Sequence, residues 1–234
     1  MAAGLAEPPT RPIWADFRLR ALSALVLAPL ALAAIWVGGA VFFAMVAVLA
    51  FGLAYEWVGM CRMGRLRPEP LVLGIIAVGV WAVALAWLRA DPVAGRANVI
   101  GLAVVVWGSD IGAYVAGRSI GGAKLAPRIS PGKTWAGAGG GVLASALIAA
   151  GAAGLLMSAP NLPAALLIGA GLSICGQAGD LAESLAKRRC GVKDSGGLIP
   201  GHGGLLDRLD AAMAAVPAAA LLSLALGRGV VLWQ

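Results

Sequence analysis

The sequence predicts an all-α, polytopic integral membrane protein with about seven transmembrane helices. Three observations carry this reading. Of 234 residues, 60% are hydrophobic and only 12% charged, about half the roughly 25% charge of a soluble domain. That much apolar surface exceeds what one core of this size can hide, so the bilayer must act as solvent. Seven apolar runs, near 21–37, 40–59, 70–88, 98–117, 134–157, 162–182 and 209–231, reach the crossing length of about 17–25 residues. If the N-terminus is cytoplasmic, fifteen of the eighteen basic residues fall on the cytoplasmic side; Arg89, Arg96 and Arg228 do not. The positive-inside rule selects that orientation. The net charge of +7 is then topological and argues against a nucleic-acid partner.

Residues 1–17, with Pro8, Pro9 and Pro12, read as a flexible cytoplasmic arm, and 18–234 as a single transmembrane catalytic domain. Arg18 and Arg20 precede the first run as they would in a cleavable signal. That run is long and a second follows, so it reads as a span. Runs two and three hold little chemistry. Glu56, late in run two, reads as an interfacial carboxylate near Arg62, because charges near helix ends reach for the surface. Cys61, Cys175 and Cys190 show no metal-like spacing, and their odd number argues against a disulfide framework. The Gly117/Gly121 and Gly137/Gly141 pairs have the small-residue spacing of close helix packing.

Asp110 lies inside run four, with Ala113, Tyr114 and Gly117 on its face. A charge at membrane depth is costly and reads as functional by default; the alternative is a structural hydrogen-bonding residue. The basic segment 118–135 follows. Gly132-Lys133-Thr134 mimics the end of a P-loop, but that motif needs a glycine at position 127, which is Pro127. With no strand expected before it, a nucleotide P-loop is rejected. Lys133 and Thr134 still stand where run five begins, and a helix start attracts anions. Plain positive-inside charge is the competing explanation.

The densest run of ionisable residues lies between runs six and seven. Asp180, Glu183, Ser184 and Lys187 follow at helical spacing and share one face if the helix continues to Lys187. Asp207 and Asp210 share a face as run seven begins. Between them a glycine-rich loop, Gly191 to Gly204, lets two helix ends approach. Four converging carboxylates would repel one another unless a cation sat among them. An all-oxygen donor set suits Mg²⁺ or Mn²⁺ and disfavours zinc. Lys133, Lys187, Arg188, Lys193 and Arg208 are then placed to meet phosphate oxygens. His202 is either a proton donor or phosphate contact, or a structural residue of its turn. The residues alone imply a membrane-embedded, metal-dependent enzyme of phosphate-bearing substrates.

Ser184 to Arg188, Lys193-Asp194-Ser195-Gly196, Pro200 to Gly204 and Asp207-Arg208-Leu209-Asp210 closely resemble the signature of the phosphatidate cytidylyltransferase (CDP-diacylglycerol synthase) family. Asp110 to Tyr114 and Ser130 to Trp135 resemble that family's two upstream motifs, in the same order. The resemblance covers roughly 107–137 and 175–217. It implies that CTP and phosphatidate are converted to CDP-diacylglycerol and pyrophosphate, with Mg²⁺ as cofactor. It makes Asp180 and Asp207 metal holders, with Glu183 and Asp210 in support. Catalytic work would fall to Asp180, Asp207, Asp210 and Lys187. Asp110, Ser130, Lys133, Thr134, Ser184, Arg188, Lys193, His202 and Arg208 would contact substrate. The resemblance also implies a homodimer; the high Ala, Gly and Arg content points to a bacterium, and the charge asymmetry to a site facing the cytoplasm across its inner membrane. The family usually has eight or nine spans where seven are counted here, and Ala186 stands where a bulkier apolar residue is usual. Three rival classes are an ion-coupled transporter, another CTP-dependent lipid transferase or lipid kinase, and a membrane scaffold. The cytoplasmic position of the cluster, the upstream motif pair and the number of buried charges weigh against them in turn.

Overall fold

The computed structural model describes residues 13–64 and 68–233. The described residues form seven helices: α1 (Ile13–Val37), α2 (Gly39–Met63), α3 (Pro68–Arg89), α4 (Gly95–Ser119), α5 (Trp135–Leu156), α6 (Leu162–Arg189) and α7 (Leu206–Leu226). Each of the seven apolar runs coincides with one of them. Six, α2 to α7, are long and apolar enough to cross a membrane, and α1 adds a shorter apolar stretch, Leu25–Val37. At about 1.5 Å per residue, α2 to α7 are each long enough for a hydrocarbon core of about 30 Å. Residues 1–12 of the expected arm lie outside the described residues, as do Arg65 and Arg67. Residues 13–17, expected in that arm, belong to α1.

The helix ends follow local chemistry. Gly38 has φ 70° and separates α1 from α2. Thr134 caps α5 by accepting from the Gly137 amide at 3.0 Å. Asn161 caps α6 by accepting from Ala164 N at 3.2 Å, with Pro163 just inside the helix. The chain alternates direction, so one end of the bundle carries Gly64 and the segments 120–134 and 190–205. The other carries Gly38 and the segments 90–94, 157–161 and 227–233. Asp91 and Gly229 meet at this second end, through a 2.6 Å bond from the Gly229 amide.

A two-stranded antiparallel hairpin, which the sequence reading did not anticipate, interrupts the all-α pattern between α4 and α5. β1 (Lys124–Ala126) pairs with β2 (Ser130–Thr134). Lys133 is therefore on a strand, one residue ahead of the α5 cap, and not in a helix turn. The P-loop rejection stands on Pro127; the expectation that no strand lies here is corrected.

Two kinds of packing hold the bundle. Large side chains such as Phe42, Leu53, Met60, Trp81 and Leu206 are buried in a core shared by α2, α3, α4 and α7. Between α4 and α5 the contact is made by small residues. A Cβ on Gly140 would lie 2.8 Å from the Gly112 carbonyl oxygen, and one on Gly137 would lie 2.9 Å from that of Ala113. Gly117, Gly137 and Gly141 thus serve close packing, as their spacing predicts. Gly121 does not; it is in the turn after α4 with φ 67°. Outward side chains are apolar: Leu155 is 87% and Phe51 76% exposed, which fits lipid as the surrounding solvent.

Candidate active site at the loop end of α6 and α7

α6 runs unbroken to Arg189, which puts Asp180, Glu183, Ser184 and Lys187 on one face. Asp207 and Asp210 stand in the first turns of α7. Carboxylate oxygens of Asp180, Glu183 and Asp210 all lie within 4.8 Å of one another. Asp110, from α4, stands within electrostatic reach of Asp180 and Lys133. Two lysines answer this negative charge. Lys133 reaches from the hairpin to pair with Asp180. Lys187 Nζ lies 2.7 Å from Glu183 and 2.6 Å from Asp207, so it ties α6 to α7.

The resemblance pairs Asp180 with Asp207 as metal holders and puts Glu183 and Asp210 in support. The side chains that converge are Asp180, Glu183 and Asp210. Asp207 stands beside that group and shares Lys187 with Glu183: one oxygen takes Lys187, and the other accepts from the Ser195 amide at 3.1 Å. The physical reason is position. Asp207 is one turn nearer the loop than Asp210, where the 190–205 backbone and Lys187 reach it first.

The other expected contacts divide. Ser184 Oγ donates to Asp180 at 3.4 Å. Ser130 is half-buried at the start of β2, opposite Ala126. Thr134 is buried, with its hydroxyl oxygen engaged in the α5 cap. Arg188 is exposed and donates to the carbonyls of Ile129 and Val192, each at 3.4 Å, linking the hairpin turn to the glycine-rich loop. Arg208 is exposed and donates to the His202 carbonyl at 2.6 Å. His202 Nδ1 is 2.8 Å from Ser23 Oγ of α1. Lys193 is exposed on the loop.

Glu56 corrects the sequence reading. It is only 3% exposed and does not behave as an interfacial carboxylate. It accepts from Ser195 Oγ at 3.2 Å, Leu198 N at 3.3 Å and Leu206 N at 2.8 Å. Leu206 N belongs to the first turn of α7, whose N-cap residue, Leu205, offers no side-chain cap. Glu56 supplies that cap from another helix, with the charge that a helix N-terminus favours. Gly204 explains itself in the same place: a Cβ there would sit 2.7 Å from Asp207 Oδ2 and 3.0 Å from Glu56 Oε2. The available sequence signal was a carboxylate within a span; its partners lie about 140 positions away.

A second polar network sits behind the site. Ser109 and Ser173 hydroxyls are 2.7 Å apart, and Gln177 donates to Ser173 Oγ at 3.0 Å and to the Ala138 carbonyl at 3.2 Å. It locks α4, α5 and α6 together beside Asp110 and one to two turns before Asp180 along α6, and sequence reasoning did not single it out.

This geometry can be set beside known proteins. A phosphatidate cytidylyltransferase of Brucella suis biovar 1 (strain 1330) is 46% identical over 184 residues, 77% of this chain and 63% of the relative. That of Pseudomonas aeruginosa is 38% identical over 177 residues, covering 74% of this chain and 61% of the relative. That of Rickettsia bellii (strain RML369-C) is 34% identical over 209 residues, covering 85% and 87%. The chain thus spans less than two thirds of the first two relatives and most of the third. The profile of the cytidylyltransferase family matches residues 70–226, which takes in nearly all of α3, all of α4 to α7, and Asp110, Asp180, Glu183, Asp207 and Asp210. The chain belongs to the cytidylyltransferase family.

Proposed function

We propose that the chain transfers the cytidylyl group of CTP to phosphatidate, releasing pyrophosphate and leaving CDP-diacylglycerol in the membrane. The observation that carries this reading is the convergence of Asp180, Glu183 and Asp210 between Lys133 and Lys187, at the loop end of two helices apolar enough to cross a membrane. The names of the relatives agree with it. A phosphate oxygen of the lipid forms a bond to the α-phosphorus of CTP. The bond from that phosphorus to the bridging oxygen of the β-phosphate breaks, and its electron pair leaves with pyrophosphate.

The donor chemistry fits a hard divalent cation. The three side chains offer oxygen only, and Glu183 Oε1 is buried without a hydrogen-bond partner. Asp180, Glu183 and Asp210 would hold Mg²⁺ (or Mn²⁺), which when bound supplies charge neutralisation at phosphate oxygens. The chain's own residues do the rest. Lys133, Lys187 and Arg188 bind phosphate groups, and Asp207 holds Lys187 in place.

Incorporation of labelled CTP into a chloroform-soluble product should require both phosphatidate and a divalent cation. Equal incorporation without phosphatidate, or in excess EDTA, would refute the reading. In its full form the reading also places the site on the cytoplasmic face of a bacterial inner membrane, and the protein in a homodimer. The basic asymmetry supports the first and the family resemblance the second. A periplasm-active reporter inserted in 157–161 should be active and one at Gly64 silent. Crosslinking in native membranes should give a dimer band.

A further inference from the structure

A cavity of about 910 Å³ lies between α2, α3, α6 and α7, against the carboxylate group. Its walls are apolar: Trp57, Gly74 and Val78 on one side, Ala182, Ala186 and Met213 on the other. Glu183 and Asp210 line its inner side, and Arg189 and Glu69 stand at the loop end. Along α3 it runs from Glu69 to Val78. That is about 14 Å at the helical rise, close to half of the roughly 30 Å hydrocarbon core. The cavity therefore has the depth of one leaflet. It has a guanidinium at the end where a lipid phosphate would lie, and it adjoins the polar site.

Trp57 decides the width of this space. Its indole Nε1 donates to the Pro70 carbonyl at 3.0 Å, which pins the ring across the start of α3. The ring lies directly on Gly74, and a Cβ there would fall within the indole. Trp57 can occupy this wall only because residue 74 has no side chain. No hydrogen bond links the indole to the carboxylates, so catalysis does not explain it.

We propose that Trp57, seated on Gly74, is the side wall that selects which acyl chains of the diacyl phosphate lipid enter the groove. The proposal rests on the reaction proposed above and adds its specificity determinant. Charge, depth and apolar lining together specify the occupant as a lipid phosphate drawn sideways from the leaflet at the loop end.

The test uses the full chain in bilayers, with dipalmitoyl and branched diphytanoyl phosphatidate as competing substrates. Trp57→Ala should shift the ratio of kcat/KM toward the branched lipid by about tenfold, the equivalent of roughly two methylenes newly accommodated. Gly74→Ala, which drives the indole into the groove, should shift it the other way. Ratios within twofold of the parent in both variants would overturn the proposal. A second measurement needs no variant. Phosphatidate carrying a diazirine in its acyl chain should label the segment 57–78 of the unaltered protein, and labelling confined to other segments would equally overturn it. Labelling of 57–78 without turnover would support the groove and refute the cytidylyl transfer, so the two failures are separable.

Discussion

Glu56 is the residue whose removal should most disturb the site without touching it. Three donors converge on its carboxylate, two of them backbone amides, in a position that is 3% exposed. A hydrogen bond to a charged group contributes about 1.5–3 kcal/mol. Glu56→Gln preserves shape and one carbonyl oxygen but turns an NH₂ toward at least one of these donors. The expected loss is one such bond, about 1.5–3 kcal/mol, or roughly 10- to 150-fold in the opening equilibrium of the loop. Glu56→Ala should cost more, about 3–5 kcal/mol, the usual range when one partner of a buried charged contact is removed. The cost should be local. The loop 190–205 has few buried apolar residues of its own, whereas α2 keeps Leu53 and Met60 in the core. Hydrogen–deuterium exchange should therefore accelerate in 192–206 by the stated factor while α4 and α5 are unchanged. Turnover should fall in parallel, because Ser195 N no longer orients Asp207, and through it Lys187. Unchanged exchange in 192–206 for Glu56→Gln would refute the reasoning, and so would faster exchange spread evenly over all helices.

Three further outcomes are expected. Asp180→Asn and Asp210→Asn should each abolish turnover while leaving thermal unfolding in detergent near that of the parent; normal activity of either would remove it from the metal group. Lys133→Ala should lower kcat/KM by roughly 10- to 150-fold through loss of one charge-assisted contact. Lys133→Arg should recover part of the loss, and Arg62→Ala is the matched control that should leave it intact. Asp91, outside the spans, accepts from the Ala94 and Gly229 amides, which hold its carboxyl below the usual carboxylate range despite burial; Val93 N and Arg228 add to this. A carboxyl lowered in the folded state stabilises above its unfolded pKa of about 3.9 and loses that contribution as pH falls through the folded value. The C-terminal segment should stay docked at neutral pH and release in stronger acid, read as access of an aqueous quencher to the buried Trp233. Asp91→Asn should weaken docking at pH 7 and flatten the acid step. A parent protein that shows no such step would contradict this assignment.

Much of the fold was legible because the bilayer constrains it. Each crossing needs a long apolar run, so the seven runs marked seven helices to within a few residues at most ends. The interior helix faces were legible for the same reason: Asp180, Glu183, Ser184 and Lys187 recur with the helical period, and α6 places them together. The hairpin was not legible. Lys124–Ala126 and Ser130–Thr134 are short, and Pro127 and Pro131 masked any strand pattern. The three arginines on the wrong side of the charge rule also had no local signal. They prove to be held by the fold: Arg89 donates to the Ile35 carbonyl at 2.7 Å, Arg96 stacks on Trp36 at 4.4 Å, and Arg228 lies over Trp87 at 5.4 Å.

The carboxylates, the lysines and the glycine loop could be named from the sequence, because rare charges in an apolar chain stand out and their local spacing assigns them to helix faces. Their partners could not. Which three carboxylates converge, that Asp207 faces Lys187 and Ser195 N, and that Glu56 caps α7 from another helix depend on how α2, α6 and α7 cross. Crossing is decided by close packing along whole helices, at Gly176 and Gly179 against Ala211 and Ala214 among others. Sequence periodicity fixes the face a side chain occupies on its own helix. The distance between faces of different helices is a property of the packed bundle, and only the tertiary structure supplies it.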